Sequence, residues 1–258
     1  MTPDDVVAAL RAAGCVFAED EAALLLAAPG PLQPLLARRI AGEPLEQVLG
    51  WAAFDGLRIG VRPGVFVPRR RSELLVRLAA DGLRPSTVAV DLCCGSGALG
   101  AALRHRVPGI ELYATDADPA AVDCARANLP DARVSEGDLW NALPKRLRGR
   151  VSVVLANAPY VPSAAIPLMP REARDHEPLA TLDGGPDGLD LHRRIVVAAS
   201  DWLTPGGRLL IEVSEAQAPV AVRLFEDAGL LPGLHTDDDL GATVVIGTYR
   251  DAQQRVRT

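Results

Sequence analysis

Lysine is almost missing from this chain. Lys145 is the only one in 258 residues, so arginine carries the positive charge, a composition that reads first as codon bias. Basic residues are outnumbered as well, 27 against 33 acids, and a net charge of −6 argues against a surface that holds nucleic acid by bulk attraction. Cysteine is scarce. Cys15, Cys93, Cys94 and Cys124 form no CxxC pair and no paired histidines accompany them, which offers no metal site and fits reduced thiols. No apolar run is long enough to span a membrane, and the opening Met-Thr-Pro-Asp-Asp is acidic where a signal peptide would be basic. A cytoplasmic protein is the expectation.

What is present has the ordinary globular balance, 48% apolar and 23% charged. The length predicts one large domain, or one with a small appendage. Residues 1–44 are rich in Ala, Leu and Arg at helical spacing and are punctuated by Pro29-Gly30-Pro31, which predicts a small helical domain. Residues 45–68 predict a β-hairpin linker, with Trp51–Phe54 and Leu57–Val61 turned at Asp55-Gly56. Pro68 closes it, and Ser72 with Glu73 opens a helix within the third stretch, 69–258. From residue 86 short apolar strands alternate with helices: 87–90, 110–114, 133–135, 151–155, 207–213 and 242–247 are the strands. That alternation predicts an α/β fold, a parallel sheet with helices on both faces, whose ligands bind at the carboxyl ends of the strands.

The first motif follows the first of those strands. Asp91-Leu-Cys93-Cys94-Gly95-Ser96-Gly97-Ala-Leu-Gly100 contains GxGxxG, and Asp116 ends the next strand 16 residues beyond Gly100. Glycines let a backbone approach a ligand closely, and an acid after the second strand can accept both hydroxyls of a ribose. The glycines alone suit NAD. Asp91 ahead of them places a carboxylate where a pyrophosphate would want bare amides, and it suits a cation such as the sulfonium of S-adenosylmethionine better.

The second motif, Asn157-Ala158-Pro159-Tyr160, closes the fourth strand on that same side. An amide nitrogen is a poor nucleophile, so a site that methylates one must hold its two hydrogens and aim it. The Asn157 side-chain oxygen and the Ala158 carbonyl can each accept one, Pro159 stiffens the turn, and Tyr160 offers a ring face to the planar group. No general base is signalled.

With these motifs in place, the chain resembles the protein-(glutamine-N5) methyltransferases that modify bacterial release factors. Beyond the two motifs, the resemblance rests on Phe66-Val-Pro-Arg-Arg-Arg-Ser-Glu73, on Gly137-Asp138-Leu139-Trp140, on Glu177-Pro178 and on the stretch from Gly184 to Leu191. It implies a Rossmann-like, class I S-adenosylmethionine-dependent methyltransferase with S-adenosylmethionine as cofactor. Asp91, Cys93, Cys94, Gly95, Ser96, Gly97, Asp116, Asp138, Leu139 and Asn157 would hold it, with Asp138 and Leu139 beside the adenine. Asn157, Ala158, Pro159 and Tyr160 would carry the transfer. It further implies that the helical front domain recognises a protein partner, a release factor presenting a glutamine; a monomer is the expectation, and the net charge predicts no direct nucleic-acid binding. Ala158 replaces the family's first proline and Arg70 another, which leaves open a sub-family with a different protein substrate. An adenine-N6 nucleic-acid methyltransferase and an NAD-binding oxidoreductase are the alternatives; the first would want a basic cleft, and the second leaves Asn157 and Tyr160 idle.

Other residues read more plainly. His105, His176, His192 and His235 are scattered and read as surface or capped side chains, and Cys93 with Cys94 as small apolar turn residues. The segment 161–190, with five prolines, reads as a substrate-binding wall or lid. Arg38, Arg39, Arg69, Arg70 and Arg71 could face an acidic or RNA-linked partner, or form a solvated run.

Overall fold

The structure, a computed structural model, describes residues 1–250; residues 251–258 of the third stretch lie outside the described residues. The chain opens with four short helices, α1 (Pro3–Ala12), α2 (Ala18–Ala27), α3 (Leu32–Ile40) and α4 (Leu45–Leu49). Thr2 and Asp5 cap α1 reciprocally, each side chain accepting the other's backbone N–H. Val6, Leu10, Ala22, Leu25, Leu36 and Val48 bury their apolar faces together in a core of their own. Gly50, left-handed at φ 78°, ends α4. The chain then forms the antiparallel hairpin of β1 (Trp51–Phe54) and β2 (Leu57–Gly60). Asp55 and Gly56 both have positive φ, as a turn matched to the twist of two strands requires.

The alternating part follows: α5 (Glu73–Ala80), β3 (Val88–Leu92), α6 (Ala98–Arg106), β4 (Glu111–Asp116), α7 (Pro119–Asn128), β5 (Arg133–Glu136) and β6 (Val151–Ala156). After a long connection come α8 (Arg171–His176), α9 (Asp190–Ala198), β7 (Leu203–Val213), α10 (Ala218–Asp227), β8 (Leu230–Asp237) and β9 (Ala242–Tyr249). Seven strands form one sheet in the order β5-β4-β3-β6-β7-β9-β8. β9 alone runs against its neighbours, so the sheet is mostly parallel. Val88, Val90 and Leu92 face a core shared with α9 and α10, and Ala89 faces one shared with α5 and α6. That period of two, buried on both sides, is why β3 reads as a continuous apolar run. β8 and α9 carry little sequence signal. β8 holds Pro232 and Gly233 and is tolerated because it lies at the sheet edge.

The segment 161–190 is folded against the end of β6. The Val161 N–H donates to the Leu182 carbonyl (3.0 Å) and the Gly184 N–H to the Val161 carbonyl (2.9 Å). Gln217, at the head of α10, donates its side-chain amide to the Tyr160 and Asp187 carbonyls (2.8 and 2.9 Å). Gly188 has φ +80°, and a Cβ there would lie 2.2 Å from the Tyr160 carbonyl oxygen. Only glycine fits. Gly188→Ala is expected to cost on the order of 2–4 kcal/mol, from a left-handed backbone plus a clash with main chain. An unchanged urea midpoint would contradict this packing.

Candidate active site

Strand register assembles the site. Leu92 pairs with Thr115 and with Ala156, and Ala156 pairs with Ile211. The residues that follow, Cys93, Asp116, Asn157 and Glu212, therefore stand side by side at the carboxyl ends of β3, β4, β6 and β7. A cavity of about 370 Å³ opens there. Cys93, Cys94, Gly95, Ser96, Asp116, Asp138, Leu139 and all of Asn157–Tyr160 line it, so the structure gathers nearly every residue singled out from the sequence.

Two do not line it. Gly97, at φ 78°, packs inward, where a Cβ would meet the Leu129 side chain at 2.9 Å. Asp91 is fully buried and absent from the cavity wall. One of its oxygens accepts the Gly100 N–H (2.8 Å), and the other has no hydrogen-bond partner among the described residues. The expectation that its carboxylate faces a cationic ligand is corrected: Asp91 lies within a strand covered on both faces, and it shapes the turn into α6.

The other acid, Asp116, is on the cavity wall. Asp116 accepts the Gly95 N–H (2.9 Å) and the Asp118 N–H (3.0 Å), which ties its carboxylate to the Gly-rich turn and leaves each oxygen a further lone pair. Burial pushes its carboxyl above the usual range, against its backbone hydrogen bonds. Cys93 holds φ 57° at the turn, and burial pushes both adjacent thiols up, so they remain uncharged turn residues. The four described cysteines are all free thiols.

At the second motif, the Asn157 side-chain NH₂ donates to the Ser72 hydroxyl (3.0 Å). Ser72 precedes α5 yet makes no capping bond, because its buried hydroxyl is turned to Asn157. The bond orients the carboxamide and leaves the Asn157 oxygen as an acceptor. The Tyr160 hydroxyl donates to Glu212 (2.9 Å), and the Arg71 guanidinium carbon stands 5.8 Å from the Tyr160 ring centroid. Phe66, Arg71 and Ser72 also line the cavity, from the chain leading into α5. Sequence reasoning quoted Phe66 within the resemblance but gave it no role, and it passed over Glu212. The available signal for Glu212 was a charge inside the apolar run Leu209–Val213.

The arginines gathered from the sequence turn inward more than outward. Arg39 is buried against Glu21 (2.6 Å) and reaches Glu172 in the 161–190 segment (3.3 Å). Arg69 pairs with the buried Glu177 (2.6 Å), Arg71 with Glu212 (3.0 Å), and Arg38 with Glu43, while Arg70 is exposed. His192 is also buried, contrary to a surface reading. Its Nε2 lies 3.1 Å from the Glu212 carbonyl oxygen, and burial lowers its pKa to about 4.

Burial pushes the Asp91 carboxyl up to about 7, with the Gly100 N–H opposing and nearby Asp116 adding to the rise. Its unfolded value is about 4. Between those values the folded state binds more protons than the unfolded, so Asp91 withdraws stability as pH climbs from about 4 to 7. Asp91→Asn keeps an acceptor for Gly100 and cannot ionise. We expect its urea midpoint to gain on the wild type as pH rises through that window; a gap independent of pH would refute the assignment.

Residues 56–169 match the family model of the methyltransferase small domain. The chain is 42% identical to a release factor glutamine methyltransferase of Gloeobacter violaceus, over 75% of this chain and 70% of that one. It is 35% identical to a 4-amino-L-phenylalanine/4-methylamino-L-phenylalanine methyltransferase of Streptomyces pristinaespiralis, over 85% and 78%. Among solved structures, a methyltransferase from Pyrococcus furiosus shares the fold at a TM-score of 0.58 and 18% identity, covering 83% of this chain and 98% of its own. With the register-built cavity, these likenesses make the chain a methyltransferase, and it belongs to the release factor glutamine methyltransferase family.

Proposed function

We propose that this protein methylates the side-chain amide nitrogen of a glutamine in a peptide chain release factor, with S-adenosylmethionine as methyl donor. The observation that carries the reading is the Asn157–Ser72 hydrogen bond, which presents a fixed acceptor oxygen to the cavity. The residues also fit the cofactor. Asp116 keeps lone pairs for ribose hydroxyls, and the buried Thr115 hydroxyl on the cavity wall has no partner among the described residues. Cys93 to Ser96 would hold the cofactor through backbone, with Asp138 and Leu139 at the adenine. When bound, S-adenosylmethionine supplies an activated methyl on its sulfonium.

The protein's task is then presentation. Asn157 accepts one hydrogen of the substrate amide through its oxygen, and the Ala158 carbonyl accepts the other. Held in this way, the nitrogen lone pair points along the line of transfer, and the proton leaves afterward to solvent. Tyr160 and Phe66 bound the slot with aromatic faces that exclude water and keep the amide planar. The front helices, bound to the 161–190 segment through Arg39–Glu172, would receive the partner protein. No helix among the described residues is long and apolar enough to cross a membrane, in keeping with a cytoplasmic site of action. A second reading, methylation of an aromatic amine on a free amino acid, takes its support from the Streptomyces relative.

Incubation with methyl-labelled cofactor and, separately, a purified bacterial release factor, 4-amino-L-phenylalanine and DNA decides among these readings. Label in glutamine of the release factor is expected; label only in the free amino acid or in adenine would overturn the proposal. Asn157→Ala should lower single-turnover rate on the order of 10²-fold, because a misaligned nucleophile loses most of its advantage. Wild-type turnover would reduce Asn157 to a turn residue. Asp116→Ala should weaken cofactor binding by roughly 1.5–3 kcal/mol, read by calorimetry, as charge-assisted hydrogen bonds are lost.

A further inference from the structure

Glu212 lies beneath the reaction site and is absent from its wall, yet it holds two residues that are on the wall. One of its carboxylate oxygens accepts both the Tyr160 hydroxyl (2.9 Å) and the Arg71 Nε–H (3.0 Å). Its other oxygen is buried with no partner among the described residues, and the side chain is 1% exposed. Arg71 is the only cation paired with it among the described residues, since the neighbouring His192 is uncharged and touches only the Glu212 backbone carbonyl. A buried carboxylate with a single counter-charge is costly, and its geometry is therefore stiff: either donor lost leaves the charge poorly compensated.

Arg71 and Ser72 are adjacent in sequence, and they reach the two ends of the same tetrapeptide. Ser72 holds Asn157 directly, and Arg71 holds Tyr160 through Glu212. The distance between the amide acceptor and the aromatic wall is therefore set from outside the motif, by the lead-in to α5. We propose that Glu212 is a positioning residue for methyl transfer, clamping Tyr160 and Arg71 so that the slot beside Asn157 has one width. The inference rests on the amide-methylation reading for its consequence, although the clamp itself is independent of any substrate.

The substitutions Glu212→Gln, Tyr160→Phe and Arg71→Met separate the two. Tyr160→Phe removes only a hydroxyl and Arg71→Met alters a half-exposed side chain, so both test the clamp even where a core change at Glu212 prevents folding. With a purified bacterial release factor, kcat should fall about tenfold or more in each, while KM and the calorimetric Kd for S-adenosylmethionine stay within about twofold. Because the three share one carboxylate, the Tyr160→Phe/Arg71→Met double variant should lose much less than the product of the single losses. A substrate-free readout accompanies this. The chain has three tyrosines, and fluorotyrosine labelling gives three ¹⁹F signals, one assigned by Tyr160→Phe. In Arg71→Met that signal should move or broaden while those of Tyr113 and Tyr249 do not. Independent, multiplicative losses, a fall confined to cofactor binding, or an unmoved Tyr160 signal would overturn the clamp. Absence of label in the release factor with wild-type enzyme would instead overturn the substrate reading, and the ¹⁹F result would still decide the clamp.

Discussion

Parallel pairing in one register is the constraint from which the rest of this site follows. β6 lies between β3 and β7, and β3 between β4 and β6, each pair with its carboxyl ends level. Four chemically different residues, Cys93, Asp116, Asn157 and Glu212, are brought into one row although they are far apart in sequence. A one-residue slip of β6 would turn Asn157 to the opposite face and bury a polar amide among apolar side chains. Val153 and Leu155 in one core, with Val154 and Ala156 in the other, make that slip expensive. The hydrophobic pattern thus protects the chemistry without touching it.

Around this row, ion pairs with one buried partner join distant segments. Arg69–Glu177 ties the chain before α5 to the segment after the tetrapeptide, and Arg39–Glu172 ties the front helices to that same segment. Arg71–Glu212 ties the α5 lead-in to β7. Such pairs add little net stability, because desolvation offsets their attraction, but each is strict about geometry. Guanidinium suits that use, offering several fixed donors from one planar group. An arginine-rich, nearly lysine-free composition is well matched to it, whatever its origin.

The same accounting explains why the wall of the cavity is made of segments with so little regular structure. The stretch 161–190 has only short helical turns, yet its backbone is satisfied by Gly184, Gly185 and Gln217 contacts. Two glycines allow main chain to pack directly on main chain at Pro159 and Tyr160. The tetrapeptide is therefore held by β6 on one side, Ser72 on another and the Gly184–Gly188 turn beneath.

Much of this was legible in the chain itself. Alternating strands and helices, the Gly-rich turn followed by Asp116, and Asn157–Tyr160 at a strand's end pointed to the sheet, to an adenosine cofactor and to amide chemistry, because periodicity and turn residues are local properties. Asp91, Ser72 and Glu212 were not legible in that way. From sequence Asp91 looked like a ligand contact and Ser72 like a helix cap, and Glu212 was one acid in a strand. Their roles depend on which way a side chain faces in the sheet and on which group meets it there: the nearby Gly100 for Asp91, and the distant Asn157 for Ser72 and Tyr160 and Arg71 for Glu212. Residue type and local spacing determine what a group can do, whereas burial and partners, which only packing supplies, for Ser72 and Glu212 across 52 to 141 residues of chain, decide what it does.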